Sequence, residues 1–242
     1  ILTASLTMAT DLTEVRNRGL GMGGFEFVNL GSYGVGYLLG SALYTVFPDA
    51  RAYFIIAALT ALSTPIFAKY LQETRPVAPA EGRLLFSVLP PSAVALLPVW
   101  FALTTIIGLA IYTPRALKDT LKVGAGAQGI AQQIVDKLGG DLVVGLLFIG
   151  ALALLGGGAI FFGRLADKWG RLKVFYIGLV GGLSALVALN AALHLGLSPV
   201  EAVAVTAPLL FLTSAIGPSI LALVGDEADI RYRGTVMGIY SV

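Results

Sequence analysis

The sequence predicts an all-α protein that crosses a membrane several times. Of its 242 residues, 57% are apolar and only 12% are charged, whereas a soluble domain carries about a quarter charged residues. The mean hydropathy of +0.86 agrees with this composition, because a surface so poor in charge needs lipid as its solvent. Long apolar stretches alternate with short charged segments, and one of those segments occurs twice.

Six stretches reach the roughly 20 apolar residues that a bilayer-spanning helix needs. They share a near absence of charge, and Glu26 is the one acid well inside them. The stretches are 20–46, 52–68, 84–114, 142–163, 174–200 and 202–225. Apolar residues at both ends of the chain, 1–10 and 235–242, predict the end of one helix and the start of another. The predicted architecture therefore has six full spans and two partial ones.

Because successive spans cross the membrane in alternating directions, each Lys and Arg can be assigned to one of its two sides. Of the 16 basic residues, eleven fall on one side and five on the other, and four of those five lie in one loop. Cytoplasmic loops carry an excess of Lys and Arg, so the first side is predicted to be cytoplasmic. The charged loops 9–19, 69–91, 163–173 and 225–234 then face the cytoplasm of a multi-pass plasma-membrane protein.

A charged segment of thirteen residues occurs twice, at 11–23 and again 215 residues later at 226–238. Six positions are identical and two are conservatively replaced. The identical residues are Asp11, Arg16, Arg18, Gly19, Met22 and Gly23 in the first copy, and Asp226, Arg231, Arg233, Gly234, Met237 and Gly238 in the second. Six spans, an even number, separate the copies, so both have the same orientation. This pattern predicts two like-oriented half-bundles, a parallel repeat.

Residues 163–173 join two predicted spans and read Gly-Arg-Leu-Ala-Asp-Lys-Trp-Gly-Arg-Leu-Lys. Gly163 and Gly170 suit a tight reversal between helices, and four cations hold the loop at an anionic leaflet. Asp167 is the single acid among them and can pair with a basic group or a helix N-terminus. Composition alone favours an ordinary basic loop, so a functional interpretation of this segment depends on the order of its residues.

That order, Gly-x-Leu-Ala-Asp-Lys-x-Gly-Arg-x-Lys, resembles the motif that follows helices 2 and 8 in the major facilitator superfamily. The duplicated Asp…Arg-Gly segment resembles the loops after helices 4 and 10 of that family. The resemblance covers the whole chain. It implies that 1–10 ends helix 4, that the six full spans are helices 5 to 10, and that 235–242 begins helix 11. Helices 1 to 3, most of 4 and 11, and all of 12 are then expected to lie outside this sequence.

The resemblance also implies a division into two halves. Residues 1–70 are expected in the N-terminal half, 71–91 in a cytoplasmic linker and 92–242 in the C-terminal half. In this family the halves rock to give alternating access, and Asp167 is expected to close the cytoplasmic side by meeting the start of helix 5. The implied gating residues are Gly163, Asp167, Lys168, Gly170, Arg171, Asp11, Arg16, Arg18, Gly19, Asp226, Arg231, Arg233 and Gly234.

Polar residues inside the spans are candidates for the coupling or substrate pathway. An ionisable residue in a membrane marks a functional site by default, which makes Glu26 a candidate. Glu26 lies about two turns from the helix end, so the alternative is a side chain that reaches the interface. Asn29 and Asn190 are predicted either to face a polar cavity or to bond a neighbouring helix. His194, near the outer end of its span, is expected at the interface.

The resemblance implies a secondary active transporter of a small organic solute, and we expect proton coupling. The segment 36–41, Gly-Tyr-Leu-Leu-Gly-Ser, resembles the Gly-Pro-x-x-Gly-Gly motif of drug–proton antiporters, with Tyr37 replacing Pro and Ser41 replacing Gly. Drug or organic-compound efflux is therefore slightly favoured. The alternatives are a sugar or metabolite symporter of the same fold, and a non-transporting, transporter-like receptor.

Several other function classes have no support in the sequence. There is no Ser/His pair, HExxH motif or acid pair inside the spans and no GxxxxGK[ST], so we expect no enzyme activity. With no cysteine and a single histidine, neither a cofactor nor a metal site is expected. A net charge of +2 gives no argument for nucleic acid. The expected partners are a solute, protons and the lipid bilayer, and the complete protein is expected to be a monomer.

Overall fold

The computed structural model describes residues 2–47, 49–70, 89–105, 140–197 and 199–241. The predicted linker 71–91 lies outside the described residues except for its last three positions, and so does most of the predicted loop before residue 140. In chain order the helices are α1 (Leu2–Leu12), a 3-10 turn (Val15–Asn17), α2 (Arg18–Val46), α3 (Arg51–Tyr70), α4 (Pro91–Thr105), α5 (Gly140–Trp169), α6 (Arg171–His194), α7 (Pro199–Thr213), α8 (Ile216–Glu227) and α9 (Arg233–Ile239). The all-α prediction is confirmed.

Three helical stretches in the described part of the chain are long and apolar enough to cross a membrane. They are Phe148–Trp169, Arg171–Ala192 and Glu201–Glu227. Large apolar side chains also face outward along the helices, and Phe54 and Phe101 are each 74% exposed. Such a surface suits lipid rather than water, so the chain is a membrane protein.

The span predicted at 202–225 is not one helix but two, because α7 ends at Thr213 and α8 begins at Ile216. Pro218 explains the break. Its nitrogen has no hydrogen to donate to the carbonyl of Ser214, and its ring crowds that carbonyl. The chain tightens there, with the N–H of Ala215 donating to the carbonyl of Leu212 at 3.1 Å. Hydropathy alone does not reveal this break, because the stretch has no charge and Pro218 does not interrupt its apolar character.

The loop predicted at 163–173 is far shorter in the structure. Helix α5 continues to Trp169 and α6 starts at Arg171, so Gly170 alone reverses the chain. Gly170 has φ = +95°, a left-handed conformation that residues with a Cβ rarely adopt. The residues 164–169 are mostly good helix formers, which explains why the helix extends past the predicted end. Asp167 and Lys168 therefore sit on a helix rather than a flexible loop.

The two copies of the repeat fold in the same way. In each copy a helix ends, a short turn follows, and a second helix begins with the Arg-Gly pair: α1 to α2 in the first and α8 to α9 in the second. The N–H of Asn17 donates to the carbonyl of Glu14 at 3.0 Å, and the equivalent N–H of Tyr232 donates to that of Asp229 at 3.0 Å. We call these two turns the hinges. Packing is reciprocal, since α1 contacts α9 and α2 contacts α8.

The core lies where the two copies meet. Met22, Ile220, Val236 and Met237 are all fully buried in one apolar cluster there, and α4 closes it from one side. Trp100 stacks at a tilt on Tyr240, with ring centroids 5.4 Å apart. The most extensive contact between described helices is that of α2 with α5. The core therefore holds α2, α8 and α9 together next to both hinges.

Candidate functional site: a charge network between the hinges

A network of charged side chains joins the two hinges to the α5–α6 reversal. Its members are Asp11, Arg18, Asp167, Arg171, Asp226 and Arg233. All six belong to the sequence-predicted set, and the structure brings them together at one end of the helix bundle. Because both hinges take part, the two copies of the repeat lie side by side at the same end.

Asp167 caps the N-terminus of α2 from another helix. Its carboxylate oxygens accept hydrogen bonds from the backbone N–H groups of Gly19 and Leu20, each at 2.8 Å. These N–H groups lie in the first turn of α2, where no intrahelical acceptor exists. Asn17, the residue at the capping position, makes no side-chain capping bond. The predicted contact between Asp167 and the start of this helix is present.

Two glycines allow this close approach of α2 and α5. A Cβ placed on Gly19 would lie 2.5 Å from the carbonyl oxygen of Gly163 and 2.7 Å from Asp167 Oδ1. A Cβ on Gly163 would in turn strike the carbonyl of Gly19. Both obstacles include backbone atoms, which cannot move aside as a flexible side chain can. The network therefore needs glycine at both positions for a steric reason.

Two ion pairs cross between the copies of the repeat. Arg233 Nη1 lies 2.7 Å from Asp11 Oδ1, and both side chains are less than 10% exposed. Arg18 pairs with Asp226. The repeat offset of 215 residues relates Arg18 to Arg233 and Asp11 to Asp226, so each arginine binds the acid of the other copy. This is the self-complementary pairing expected for two equivalent surfaces related by a two-fold axis.

Arg171 extends the network to the first hinge. It pairs with Asp226 and approaches Asp167 Oδ1 at 4.0 Å. It also donates hydrogen bonds of 2.7 Å to the carbonyls of Ala222 and Val15. A planar guanidinium with five donors can satisfy several acceptors at once, so Arg171 connects α5, α8 and the turn before α2.

The network is buried but incompletely satisfied. The Nε–H groups of Arg18 and Arg233, equivalent by the repeat, are buried without an acceptor among the described residues. An unsatisfied buried donor costs about 1–3 kcal/mol. Burial, and to a smaller extent the positive charge of the nearby Arg233, lowers the pKa of Arg18. Arg18 precedes the span predicted to start at residue 20. Such an arrangement holds helices together without being maximally stable.

Four other predicted gating residues lie outside the network. Arg16 forms an exposed ion pair with Glu14 at 2.6 Å. Arg231 is exposed and donates its backbone N–H to Asp229, and Lys168 is exposed on α5. Gly234 opens α9, where a Cβ would meet Thr7 only at 3.9 Å. Unlike Gly19, Gly234 is not required here by close packing.

The polar residues within the spans are separate from the network. The Glu26 side chain lies against Gly217, at the break between α7 and α8, since a Cβ on Gly217 would be 3.4 Å from Glu26 Cδ. The carbonyl of Asn29 accepts a bond of 2.7 Å from Ser32 Oγ. Asn190 is exposed and donates to Leu186 of its own helix at 3.0 Å. His194 is the last residue of α6.

Two features of the site have no signal in the sequence. The carbonyls that bind Arg171 carry no side-chain signal, so only coordinates can identify them. The Glu227 carboxylate accepts a hydrogen bond from Ser92, in the first turn of α4. No pattern in the sequence pairs these two residues. The crossed pairing of Asp11 with Arg233 did have a signal, because the repeat makes the two hinges equivalent.

In the described residues, no group of three or more His, Asp or Glu side chains is arranged to hold a metal ion. The chemistry of the network is therefore that of ion pairs and helix capping. Among known families, the model described as Major Facilitator Superfamily matches residues 1–242. No curated protein and no solved structure matches the chain.

Proposed function

The chain belongs to the major facilitator superfamily, a family of secondary transporters, and we propose that it carries a small organic solute by alternating access with the charge network as its cytoplasmic latch. Members of this family are in general transporters rather than enzymes. The observation that supports the latch is that the Asp167 carboxylate caps α2 from α5.

The contacts of the network support a latch because most of them join the two proposed halves. Asp167 reaches Gly19 and Leu20, Arg233 reaches Asp11, and Arg171 reaches the carbonyl of Val15. If residues 1–70 and 92–242 move as separate halves, this end cannot open while the contacts persist. The network is formed here, which corresponds to a state closed at this end.

Replacement of Asp167 by Asn is expected to shift the protein toward the state open to the cytoplasm. The asparagine amide has one acceptor oxygen for the N–H groups of Gly19 and Leu20, and it lacks the negative charge that interacts with the helix dipole. Dipole and hydrogen-bond losses together amount to about 1–2 kcal/mol, a roughly five- to thirty-fold change in the ratio of the two states. Modification of an introduced cysteine on the cytoplasmic side of the solute pathway would measure the shift.

The matched control is Asp229→Asn, which removes an acid from the second hinge outside the network. Asp229 binds only a nearby backbone N–H in the described hydrogen bonds, so accessibility should stay at the wild-type level. Equal accessibility in wild type, Asp167→Asn and Asp229→Asn would remove the latch role from Asp167.

We propose proton coupling through Glu26. It is the one acid in the described helices that lies more than a turn from a helix end. Its carboxyl group lies beside Gly217 in the first turn of α8. Rearrangement of the α7–α8 break would change that environment, which is the requirement for coupling proton binding to a conformational change.

Glu26→Gln is expected to uncouple transport. Proton movement driven by the solute gradient should disappear, while exchange of labelled for unlabelled solute should continue, since the amide keeps the shape of the side chain. Fluorescence of a pH indicator inside proteoliposomes would measure the proton flux. Asn190→Ala is the control, because Asn190 is exposed and bonds only its own helix. Unchanged proton flux in Glu26→Gln would exclude this role.

Efflux of an organic compound remains the direction that we favour, on the partial antiporter motif at 36–41. Sugar or metabolite symport and a receptor-like role are the alternatives. Proteoliposomes of defined orientation separate them. For the same solute gradient, antiport and symport acidify opposite compartments. A receptor gives solute binding without flux.

A further inference from the structure

A groove of about 320 Å³ runs along the side of α5, next to the strip that contacts α2. It is lined by Gly157, Ile160, Phe161, Arg164, Leu165 and Lys168. These positions recur every three or four residues, as expected for a single helix face. The groove extends over twelve residues, from Gly157 to Lys168, which is about 16 Å of helix.

The polarity of the groove changes along its length. Arg164 and Lys168 are exposed at the end nearest the helix terminus, and no ion-pair partner of either occurs among the described residues. Phe161 is 54% exposed deeper in the span. At Gly157, deeper still, a Cβ would meet nothing within 4 Å. The groove is therefore cationic at its outer end and open and apolar at its inner end.

This gradient matches the layout of a phospholipid in its leaflet. Lys168 lies in the last turn of α5 and Arg164 one turn before it, which is headgroup depth for a spanning helix. Trp169, 57% exposed beside them, is a residue type enriched at membrane interfaces. A soluble anion would leave the apolar length unused, and a lipid without net charge would gain little from two cations.

We propose that this groove binds one anionic phospholipid, with its phosphate at Arg164 and Lys168 and an acyl chain along Phe161 and Gly157. The site is distinct from the latch, because its two cations lie outside the charge network. It requires that this end of α5 reaches the membrane interface and that the groove faces lipid. It therefore does not depend on which solute is carried or on the direction of transport.

The test uses the protein in nanodiscs of phosphatidylcholine with a small amount of spin-labelled phosphatidylglycerol or spin-labelled phosphatidylcholine. The fraction of motionally restricted label reports lipid held by the protein. Wild type should restrict phosphatidylglycerol in preference to phosphatidylcholine. Arg164→Gln with Lys168→Gln should reduce that preference by about five-fold for each cation removed.

Two exposed cations outside the groove provide the matched control. Lys173→Gln with Arg231→Gln removes the same charge, and the preference should stay near the wild-type value. Gly157→Phe fills the inner end without changing charge and should also weaken retention of the lipid. Inorganic phosphate added in excess should not displace the labelled lipid.

Arg164→Lys with Lys168→Arg keeps both charges and should keep the preference for phosphatidylglycerol. This variant distinguishes loss of the site from loss of folding. The proposal is overturned if wild type shows no preference for phosphatidylglycerol. It is also overturned if the groove variant (Arg164→Gln with Lys168→Gln) and the control variant (Lys173→Gln with Arg231→Gln) lose that preference equally, since the attraction is then only general electrostatics. Displacement of the label by inorganic phosphate would also overturn it.

Discussion

Gly19→Ala is expected to prevent closure at the network end of the bundle. The new Cβ would lie 2.5 Å from the backbone carbonyl of Gly163, so the start of α2 must move away from α5. Overpacking of a tight contact costs about 1–3 kcal/mol, and an obstacle in the backbone favours the upper end. The same shift breaks both hydrogen bonds to Asp167. Transport should be nearly abolished, and a cysteine introduced on the cytoplasmic side of the solute pathway should react rapidly.

Gly24→Ala is the matched control on the same helix. A Cβ on Gly24 would meet nothing within 4 Å, and alanine is the better helix former by about 1 kcal/mol. This variant should transport as wild type does and unfold at a slightly higher temperature. If Gly19→Ala and Gly24→Ala behaved alike in both assays, the close contact of Gly19 with Gly163 would have no functional role.

Arg233→Met is expected to destabilise the closed state strongly. It removes the cation 2.7 Å from Asp11, whose side chain is only 6% exposed. Breaking a buried ion pair from one side costs about 3–5 kcal/mol, whereas removing both charges is often nearly neutral. Arg233→Met combined with Asp11→Asn should therefore recover most of the loss. Thermal unfolding in detergent and solute uptake measure the two consequences.

Arg231→Met controls for the loss of one positive charge in the same hinge. Arg231 is exposed, and an exposed substitution of this kind usually changes stability by no more than about 0.5 kcal/mol. A large loss in Arg233→Met, a small one in Arg231→Met and recovery in the double variant form the expected pattern. Failure of Asp11→Asn to rescue Arg233→Met would show that the crossed pair is not the cause.

Sequence patterns predicted the architecture and much of the site. Hydropathy located the helices because a spanning segment must be apolar over its whole length. The repeat located both hinges, and the family resemblance of the segment around Asp167 implied its contact with the start of α2. These features are local or periodic, and sequence records such features directly.

Three features of the structure could not be predicted from the same patterns. The single-residue reversal at Gly170 depends on how far α5 continues, and helix ends are weakly encoded. The bonds of Arg171 to the carbonyls of Val15 and Ala222 use backbone acceptors that every residue possesses. The exclusion of Arg16 from the network depends on its competing contact with Glu14. Each of these depends on tertiary packing.

The most direct test measures the distance between the two proposed halves across the network. The chain contains no cysteine, so spin labels at Arg16 and Lys173, both exposed, would be the only labels. The latch predicts mainly one short-distance population in the wild type and a second, longer population in Asp167→Asn. One identical distance distribution in both proteins, with Asp167→Asn fully folded, would contradict the account.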